Sequence, residues 1–169
     1  VEIEPKIRVI AITGPNTGGK TVTLKTLGLA ALMAKAGLFV VAREPVEIPW
    51  FEQVLADIGD EQSLEQSLST FSGHIHRIIR IIKANSPNSL VLLDEVGAGT
   101  DPAEGSALAT ALLKYFADHA GLTMATTHYG ELKTLKYQDE RFENASVEFN
   151  DETLSPTYRL LWGIPGRSN

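Results

Sequence analysis

Four short apolar runs along the chain have the length and composition of buried β-strands. Residues 6–12, 90–93 and 122–126 are rich in β-branched and leucine side chains, and residues 38–42 form a fourth run. Four consecutive apolar residues, as in 90–93, are typical of a central parallel strand that is buried on both faces. Residues 53–58 alternate loosely between apolar and polar side chains and predict one further strand.

Apolar residues recur at helical spacing in three segments between these runs. The first helix is expected to open at Thr17 or Gly18 and to end at Gly37, and residues 71–84 are amphipathic. Residues 101–104 read Asp-Pro-Ala-Glu, which predicts a helix start with an Asp cap and Pro at the first helical position. The expected buried faces of the three helices are, in chain order, Leu24, Leu27, Ala31 and Ala34; Phe71, Ile75, Ile78, Ile79 and Ile82; and Ala107, Leu108, Ala111, Leu112, Tyr115 and Phe116.

The last part of the chain predicts a β-hairpin. Residues 147–149 and 158–162 have strand character and are separated by a polar turn at 150–152. Together with the alternating strands and helices before it, the pattern predicts an α/β fold with a mainly parallel sheet, flanking helices and a C-terminal β-hairpin. A length of 169 residues fits one domain, 1–169.

A glycine-rich loop lies between the first predicted strand and the first predicted helix. It reads G-x-x-x-x-G-K-[ST], the phosphate loop (P-loop) of proteins that use ATP or GTP, and it stands in the strand–loop–helix context that this motif requires. Backbone N–H groups would face the phosphates, Lys20 would bring a positive charge to them, and the Thr21 hydroxyl can bind Mg²⁺. A chance glycine turn is the alternative interpretation. The residues predicted to bind ATP are Gly14, Pro15, Asn16, Thr17, Gly18, Gly19, Lys20, Thr21 and Val22.

Two carboxylates follow the central predicted strand directly. Asp94 and Glu95 are expected at the C-terminal end of that strand, where α/β folds place their ligands. Behind a phosphate loop, Asp94 is expected to hold Mg²⁺ together with Thr21, and Glu95 to orient and deprotonate the attacking water. His128 follows the strand at 122–126 on the same edge, and we expect it to contact the γ-phosphate, with a structural role as the alternative. Lys20, Glu95 and His128 are therefore the expected catalytic residues.

A pair of hydroxyl residues stands at the predicted start of the second helix. Ser69 and Thr70 occupy the position of an N-cap, and they either only cap the helix or form an anion site for a phosphate held by a second subunit. Residues 97–100, Gly-Ala-Gly-Thr, are either a simple connection or a loop that crosses to a partner subunit. The polar run at 57–63 is interpreted as a solvated loop, and the remaining histidines lack metal-ligand spacing and are predicted to face solvent: His74, His76 and His119.

Composition restricts the possible functions further. The formal charge of −6 makes this domain a poor stand-alone DNA binder, because neutralising phosphates dominates such affinity. The absence of cysteine excludes disulfides and thiolate zinc sites and fits a reducing cytoplasm. No apolar run approaches the roughly 18 residues of a membrane span, so no membrane partner is expected. Because the chain begins at Val1 rather than Met and ends just after a Gly-Ile-Pro-Gly-Arg turn, we expect a piece of a longer protein.

Taken in order, these motifs resemble the ATPase domain of the MutS family, which is related to the ABC-type ATPases. The resemblance covers essentially the whole chain and rests on the phosphate loop at 14–21, Ser69-Thr70-Phe71, residues 94–100 and Thr126-Thr127-His128-Tyr129. The sequence Gly-Ala-Gly-Thr-Asp-Pro-Ala-Glu-Gly at 97–105 and the C-terminal residues 163–169 resemble the MutS-two branch more than the mismatch-repair branch.

The resemblance implies a homodimeric ATPase that holds ATP and Mg²⁺ between two subunits. Ser69 and Thr70 of one subunit would reach, in trans, the nucleotide bound by Lys20 of the other, and Asn16 would contact phosphate or water. In longer members of this branch, ATP-driven dimer closure would control the grip on branched DNA or on the rRNA of collided ribosomes, and a nuclease domain would lie outside this chain. The alternatives are the ATPase domain of a mismatch-repair protein and a nucleotide-gated scaffold without turnover. A transporter subunit would need a Leu-Ser-Gly-Gly-Gln-like helix start, which residues 67–71 do not supply.

Overall fold

The computed structural model describes residues 2–15, 19–59, 67–150, 152–153, 155–164 and 166, with the backbone alone described at 67–70. Its strands are β1 (Val9–Thr13), β2 (Gln53–Asp57), β3 (Ser89–Leu93), β4 (Leu122–Thr126), β5 (Phe142–Asn150) and β6 (Ser155–Trp162). Its helices are α1 (Lys20–Lys35), α2 (Ser67–Ala84) and α3 (Pro102–His119), and a 3₁₀ segment spans Gly130–Tyr137. Within the described ranges, no helix has both the length and the apolar character that crossing a lipid bilayer requires.

One six-stranded sheet forms the centre of the fold, with the strand order β2-β3-β4-β1-β5-β6. The first five strands in that order pair in parallel, and β5 and β6 form an antiparallel hairpin. The predicted mainly parallel sheet with a C-terminal hairpin is therefore confirmed. Parallel pairing brings the C-terminal ends of β1, β3 and β4 to one edge of the sheet, and the residues that follow these strands lie next to each other there.

The sheet is covered on both faces, which explains why its central strands are apolar throughout. Alternate residues of β3 point to opposite sides: Leu90 and Leu92 pack in the cluster that contains α1, and Val91 and Leu93 pack in the cluster that contains α2 and α3. All five residues of β1, β3 and β4 are buried. This is the packing expected of parallel strands between two helical layers.

The predicted strand at residues 38–42 is wrong. This segment joins no strand in the described chain, and its side chains Phe39 and Val41 are 96% and 95% exposed. Apolar β-branched residues favour a strand only where a partner strand and a covering layer are present, and the sheet ends at β2.

Two helices differ from their predicted form, although the Asp101 cap and Pro102 of α3 are confirmed. The buried face of α3 is formed by Gly105, Ala109, Leu112, Leu113, Phe116 and Ala117, whereas Ala107 and Ala111 are exposed. The predicted buried face of α3 was wrong at these alanines because alanine fits either a buried or an exposed position and therefore does not indicate which side of a helix faces the core. In α2, the helix begins at Ser67, so Ser69 and Thr70 lie inside its first turn and are not N-cap residues, which require a non-helical backbone.

Candidate functional site

The register of the sheet places three polar segments side by side. Ile12 of β1 pairs with Thr126 of β4, and Leu93 of β3 pairs with Ala125, so that Asp94 emerges opposite Thr126. The loop before α1 leaves the end of β1 at the same edge. The C-terminal edge of β1, β3 and β4 therefore forms the candidate site.

A buried lysine in the first turn of α1 contacts Gly14, the residue that follows β1. Lys20 is 3% exposed, and its Nζ donates a hydrogen bond to the carbonyl oxygen of Gly14 at 2.6 Å. Gly14 has a φ of 139°, and a Cβ at this position would lie 2.6 Å from a methyl group of Val147. A side chain is thus excluded from the start of the loop. Pro15 is half-buried and Val22 is exposed in the first turn of α1, while Asn16, Thr17 and Gly18 lie outside the described residues.

Thr21 and Asp94, the two residues predicted to bind Mg²⁺, contact each other directly. The Thr21 Oγ1 donates a hydrogen bond to Asp94 Oδ2 at 2.7 Å, although the residues are far apart in sequence. The other carboxylate oxygen, Oδ1, accepts a hydrogen bond from Thr126 Oγ1 at 2.5 Å. Asp94 is 6% exposed, so two hydroxyl groups on two different elements hold an almost fully buried carboxylate.

Glu95 occupies an uncommon backbone conformation immediately after this carboxylate. Its φ is 47°, in the left-handed region that residues other than glycine rarely adopt. The Glu95 N–H donates to Thr126 Oγ1 at 2.7 Å, and the Glu95 carbonyl accepts from the Ala98 N–H at 2.9 Å. The next N–H, of Val96, donates to the Thr126 carbonyl at 3.1 Å. Thr126 therefore holds the turn that carries Glu95 at two successive amides.

A buried tyrosine fixes the loop that follows Glu95. The hydroxyl of Tyr129 donates a hydrogen bond to the carbonyl oxygen of Gly97 at 2.9 Å, and the side chain is 7% exposed. Burial, with smaller contributions from the carboxylates of Asp101, Glu131 and Glu95, raises the pKa of Tyr129 above its ordinary value. The phenol therefore keeps its proton at neutral pH and remains a donor.

His128 lies beside this tyrosine at the predicted edge. It is exposed, and its ring centroid is 4.3 Å from that of Tyr129. His128 thus contacts the tyrosine that holds the loop after Glu95, and it lies two residues beyond Thr126 in the chain. The side chains of Ser69 and Thr70 lie outside the described residues, so their action in trans stays a prediction.

One histidine predicted to face solvent is instead bound to a buried carboxylate. The side chain of His74 is 15% exposed, and its Nδ1 lies 2.6 Å from Oδ2 of Asp57, which is 2% exposed. Arg77 Nε donates to the other oxygen of Asp57. The backbone carbonyl of Asp57 accepts a hydrogen bond from the Asp94 N–H at 2.8 Å. Asp57 is therefore not part of a solvated loop: it fastens α2 to the strand end beside Asp94.

The sequence assigns no functional role to Tyr158, which the structure places beside Gly19. Its side chain is 69% exposed, and a Cβ added to Gly19 would lie 3.2 Å from Cδ1 of the ring. Residues 19 and 158 are distant in sequence and become neighbours only when the sheet folds, so no local sequence pattern could reveal this contact. Thr126 and Tyr129 occur in the sequence motif only as neighbours of His128, because their own contacts are with residues that are distant in sequence.

Comparison with known proteins gives a consistent set of relatives. A family model described as MutS domain V matches residues 10–166. A protein named Endonuclease MutS2 from Synechocystis sp. is 72% identical over 185 residues, which cover 99% of this chain and 22% of the relative. Proteins of the same name from Caldicellulosiruptor bescii and Staphylococcus haemolyticus are 61% and 57% identical over 95% and 100% of this chain, and over 20% and 22% of their own lengths. The chain thus spans about a fifth of the length of these curated relatives.

Proposed function

This chain belongs to the MutS family, as domain V of its MutS2 branch, and we propose that it binds ATP with Mg²⁺ and hydrolyses the γ-phosphate. The observation that carries the proposal is the contact between Thr21 and Asp94, a hydroxyl in the first turn of α1 and a carboxylate at the end of β3. Lys20 lies in the same turn as Thr21. A lysine, a hydroxyl and a carboxylate at a glycine loop are the groups that phosphate-loop ATPases use.

The donor atoms present fit a magnesium ion. Thr21 and Asp94 offer oxygen ligands, which Mg²⁺ prefers, and they are already within hydrogen-bond distance of each other. Among the residues with described side chains, no three His, Asp or Glu groups lie close enough to hold a metal between them. A site of this kind relies on nucleotide phosphates to complete the coordination shell. When bound, Mg²⁺ would neutralise part of the phosphate charge.

The residues of the chain would contribute to hydrolysis mainly by positioning. The N–H groups at the start of α1 and the ammonium of Lys20 would bind the phosphate oxygens, and the short hydrogen bond from Lys20 to Gly14 holds that ammonium at the loop. Glu95 would orient the attacking water and accept its proton. His128, exposed at the same edge, would donate a hydrogen bond to the γ-phosphate.

The direct test is ATP binding and turnover by the chain itself. Calorimetric titration should detect ATP binding, and phosphate release should require Mg²⁺ and stop when EDTA removes it, because Asp94 and Thr21 would then lack the ion they hold. Absence of ATP binding would refute the proposal. Binding without Mg²⁺-dependent turnover would support the remaining alternative, a nucleotide-gated scaffold that does not hydrolyse ATP.

We further propose that the ring of Tyr158 contacts the base of the nucleotide. The ring is exposed and lies over Gly19, where the phosphate loop joins α1. Stacking of a base on an aromatic ring contributes about 1–3 kcal/mol, so Tyr158→Ala should raise the Kd for ATP roughly tenfold in calorimetry. Tyr158→Phe should bind within about twofold of the wild type, because the ring is retained.

Tyr137 provides a matched control for this substitution. Its side chain is also strongly exposed, at 77%, but Tyr137 ends the 3₁₀ segment and does not contact Gly19. Tyr137→Ala should therefore leave ATP affinity unchanged. Equal affinity of Tyr158→Ala and Tyr137→Ala would remove Tyr158 from the site.

The full-length protein is proposed to act as a cytoplasmic homodimer. Closure of two domains around ATP, with Ser69 and Thr70 acting in trans, would control the grip of other segments on branched DNA or on collided ribosomes. Family membership and the name Endonuclease MutS2 of the relatives support a DNA-acting enzyme, and the charge of −6 indicates that segments outside this domain do most of the binding. The identities with MutS2 proteins favour this branch over mismatch repair.

A further inference from the structure

We propose that Thr126 is the residue that positions both acidic residues of the site, through the two hydrogen-bonding capacities of one hydroxyl group. Its Oγ1 donates to the carboxylate of Asp94 at 2.5 Å and accepts from the N–H of Glu95 at 2.7 Å. The inference rests on the proposed ATPase function, because it assigns Thr126 a role toward Asp94 and Glu95 in that reaction.

The Thr126 hydroxyl is buried, and both its donor and its acceptor capacity are used within the site. Thr126 is fully buried, at 0% exposure, and ends β4 between β3 and β1. Its backbone carbonyl accepts from the Val96 N–H at 3.1 Å, so the same residue also contacts the peptide after Glu95. A hydroxyl has one proton to donate and lone pairs to accept with, and both are used here on adjacent residues of the β3 end.

Thr126 holds the two acidic residues in different ways, Asp94 through its carboxylate and Glu95 through its backbone N–H. The carboxylate of Asp94 is oriented by Thr21 on one oxygen and by Thr126 on the other, so Thr126 sets which oxygen direction remains available to a metal. Glu95 is held in a left-handed backbone conformation with a φ of 47°, and the hydrogen bond from its N–H is one of the contacts that maintain this conformation. Loss of the hydroxyl should disturb the metal ligand and the water-activating residue together.

The test compares Thr126→Val, which has nearly the same shape without the hydroxyl, with Thr126→Ser, which retains it. Loss of a hydrogen bond to a metal ligand typically costs about 10–100-fold in metal affinity or activity. We therefore expect Thr126→Val to lower kcat for ATP about 10–100-fold and to raise the half-saturating Mg²⁺ concentration about tenfold. The affinity for ATP measured in EDTA should change less than about twofold, because the loop and Lys20 are untouched. Thr126→Ser should restore most of both losses.

Thr123 on the same strand offers a matched control. It is also fully buried, at 0% exposure, and its hydroxyl is without a hydrogen-bond partner among the described residues. Thr123→Val makes the same chemical change in β4 and should leave kcat and the Mg²⁺ requirement unchanged. A drop in kcat with both valine variants would assign the effect to β4 packing and overturn the inference.

Two further readouts do not depend on turnover. The Glu95 amide should exchange its hydrogen for deuterium at least about tenfold faster in Thr126→Val than in the wild type or Thr126→Ser, since its acceptor is removed. Calorimetric titration with ADP at several Mg²⁺ concentrations should show the weaker binding of Mg²⁺ by Thr126→Val directly. If the wild type does not hydrolyse ATP, the proposed function fails, and these two measurements still decide the role of Thr126. If the wild type hydrolyses ATP, and Thr126→Val keeps its kcat and the slow exchange of Glu95, the inference is wrong and the proposed function stands.

Discussion

Glu95→Gln is expected to bind ATP about as tightly as the wild type and to hydrolyse it about 10²–10⁴ times more slowly. The amide has almost the same shape as the carboxylate, so the turn held by Thr126 and Ala98 should be preserved. What is lost is the group that accepts a proton from water. Binding is measured by calorimetry and turnover by phosphate release.

The same variant tests the proposed dimer. Because ATP would persist in the site, Glu95→Gln should sediment as a dimer in the presence of Mg²⁺-ATP and as a monomer without it. Lys20→Ala, which removes the ammonium at the loop, should stay monomeric at the same ATP concentration. Lys25→Ala is the matched control, because Lys25 lies on the same helix but is exposed.

Two results would contradict this account in separate ways. Wild-type turnover by Glu95→Gln would remove Glu95 from the chemistry. A protein that binds ATP but stays monomeric would indicate that dimer contacts lie in other segments, or that Ser69 and Thr70 do not act in trans.

The parts of the fold that sequence predicted well are those governed by local patterns. The apolar run before Asp94 forms β3, and residues 122–126 form β4. The predicted cap at Asp101 is confirmed, and its side chain accepts hydrogen bonds from two backbone N–H groups of α3. Such features depend on neighbouring residues, and their physical causes are visible within a few positions. Placing Asp94 and Glu95 at the site edge required only the rule that parallel strands end together.

The features that sequence did not predict depend on contacts between distant segments. The contacts of Asp57 with His74 and Arg77 join a strand end to a helix. Asp57 is therefore buried and His74 is partly buried, although the sequence predicts both to face solvent. Tyr158 of β6 lies near Gly19 only because the folded sheet brings these two distant segments together. The apolar segment at 38–42 shows the opposite error, since strand propensity was present and a partner strand was not.

Gly97→Ala is expected to lower the free energy of unfolding by about 2–5 kcal/mol, a large part of the roughly 5–15 kcal/mol of a typical domain. Gly97 has a φ of 82°, and a left-handed backbone costs a residue with a Cβ about 1–2 kcal/mol. In addition, the new Cβ would collide with the carbonyl oxygen of Gly105 and lie 3.2 Å from the Cβ of Ala109. Overpacking of this kind costs about 1–3 kcal/mol, and the obstacle is helix backbone, which cannot rotate away as a side chain could.

Gly37→Ala separates the two costs. Gly37 also has a positive φ, 74°, but a Cβ there would meet no atom within 4 Å, so only the backbone cost of about 1–2 kcal/mol is expected. Both variants are compared with the wild type by urea denaturation, with equal m-values as the condition for a direct comparison. Equal destabilisation by the two substitutions would mean that the loop after Glu95 does not pack on α3 as described. A larger loss at Gly97 would instead establish that the turn carrying Glu95 is held between Tyr129 and the first turns of α3, which is the rigidity that a water-positioning residue requires.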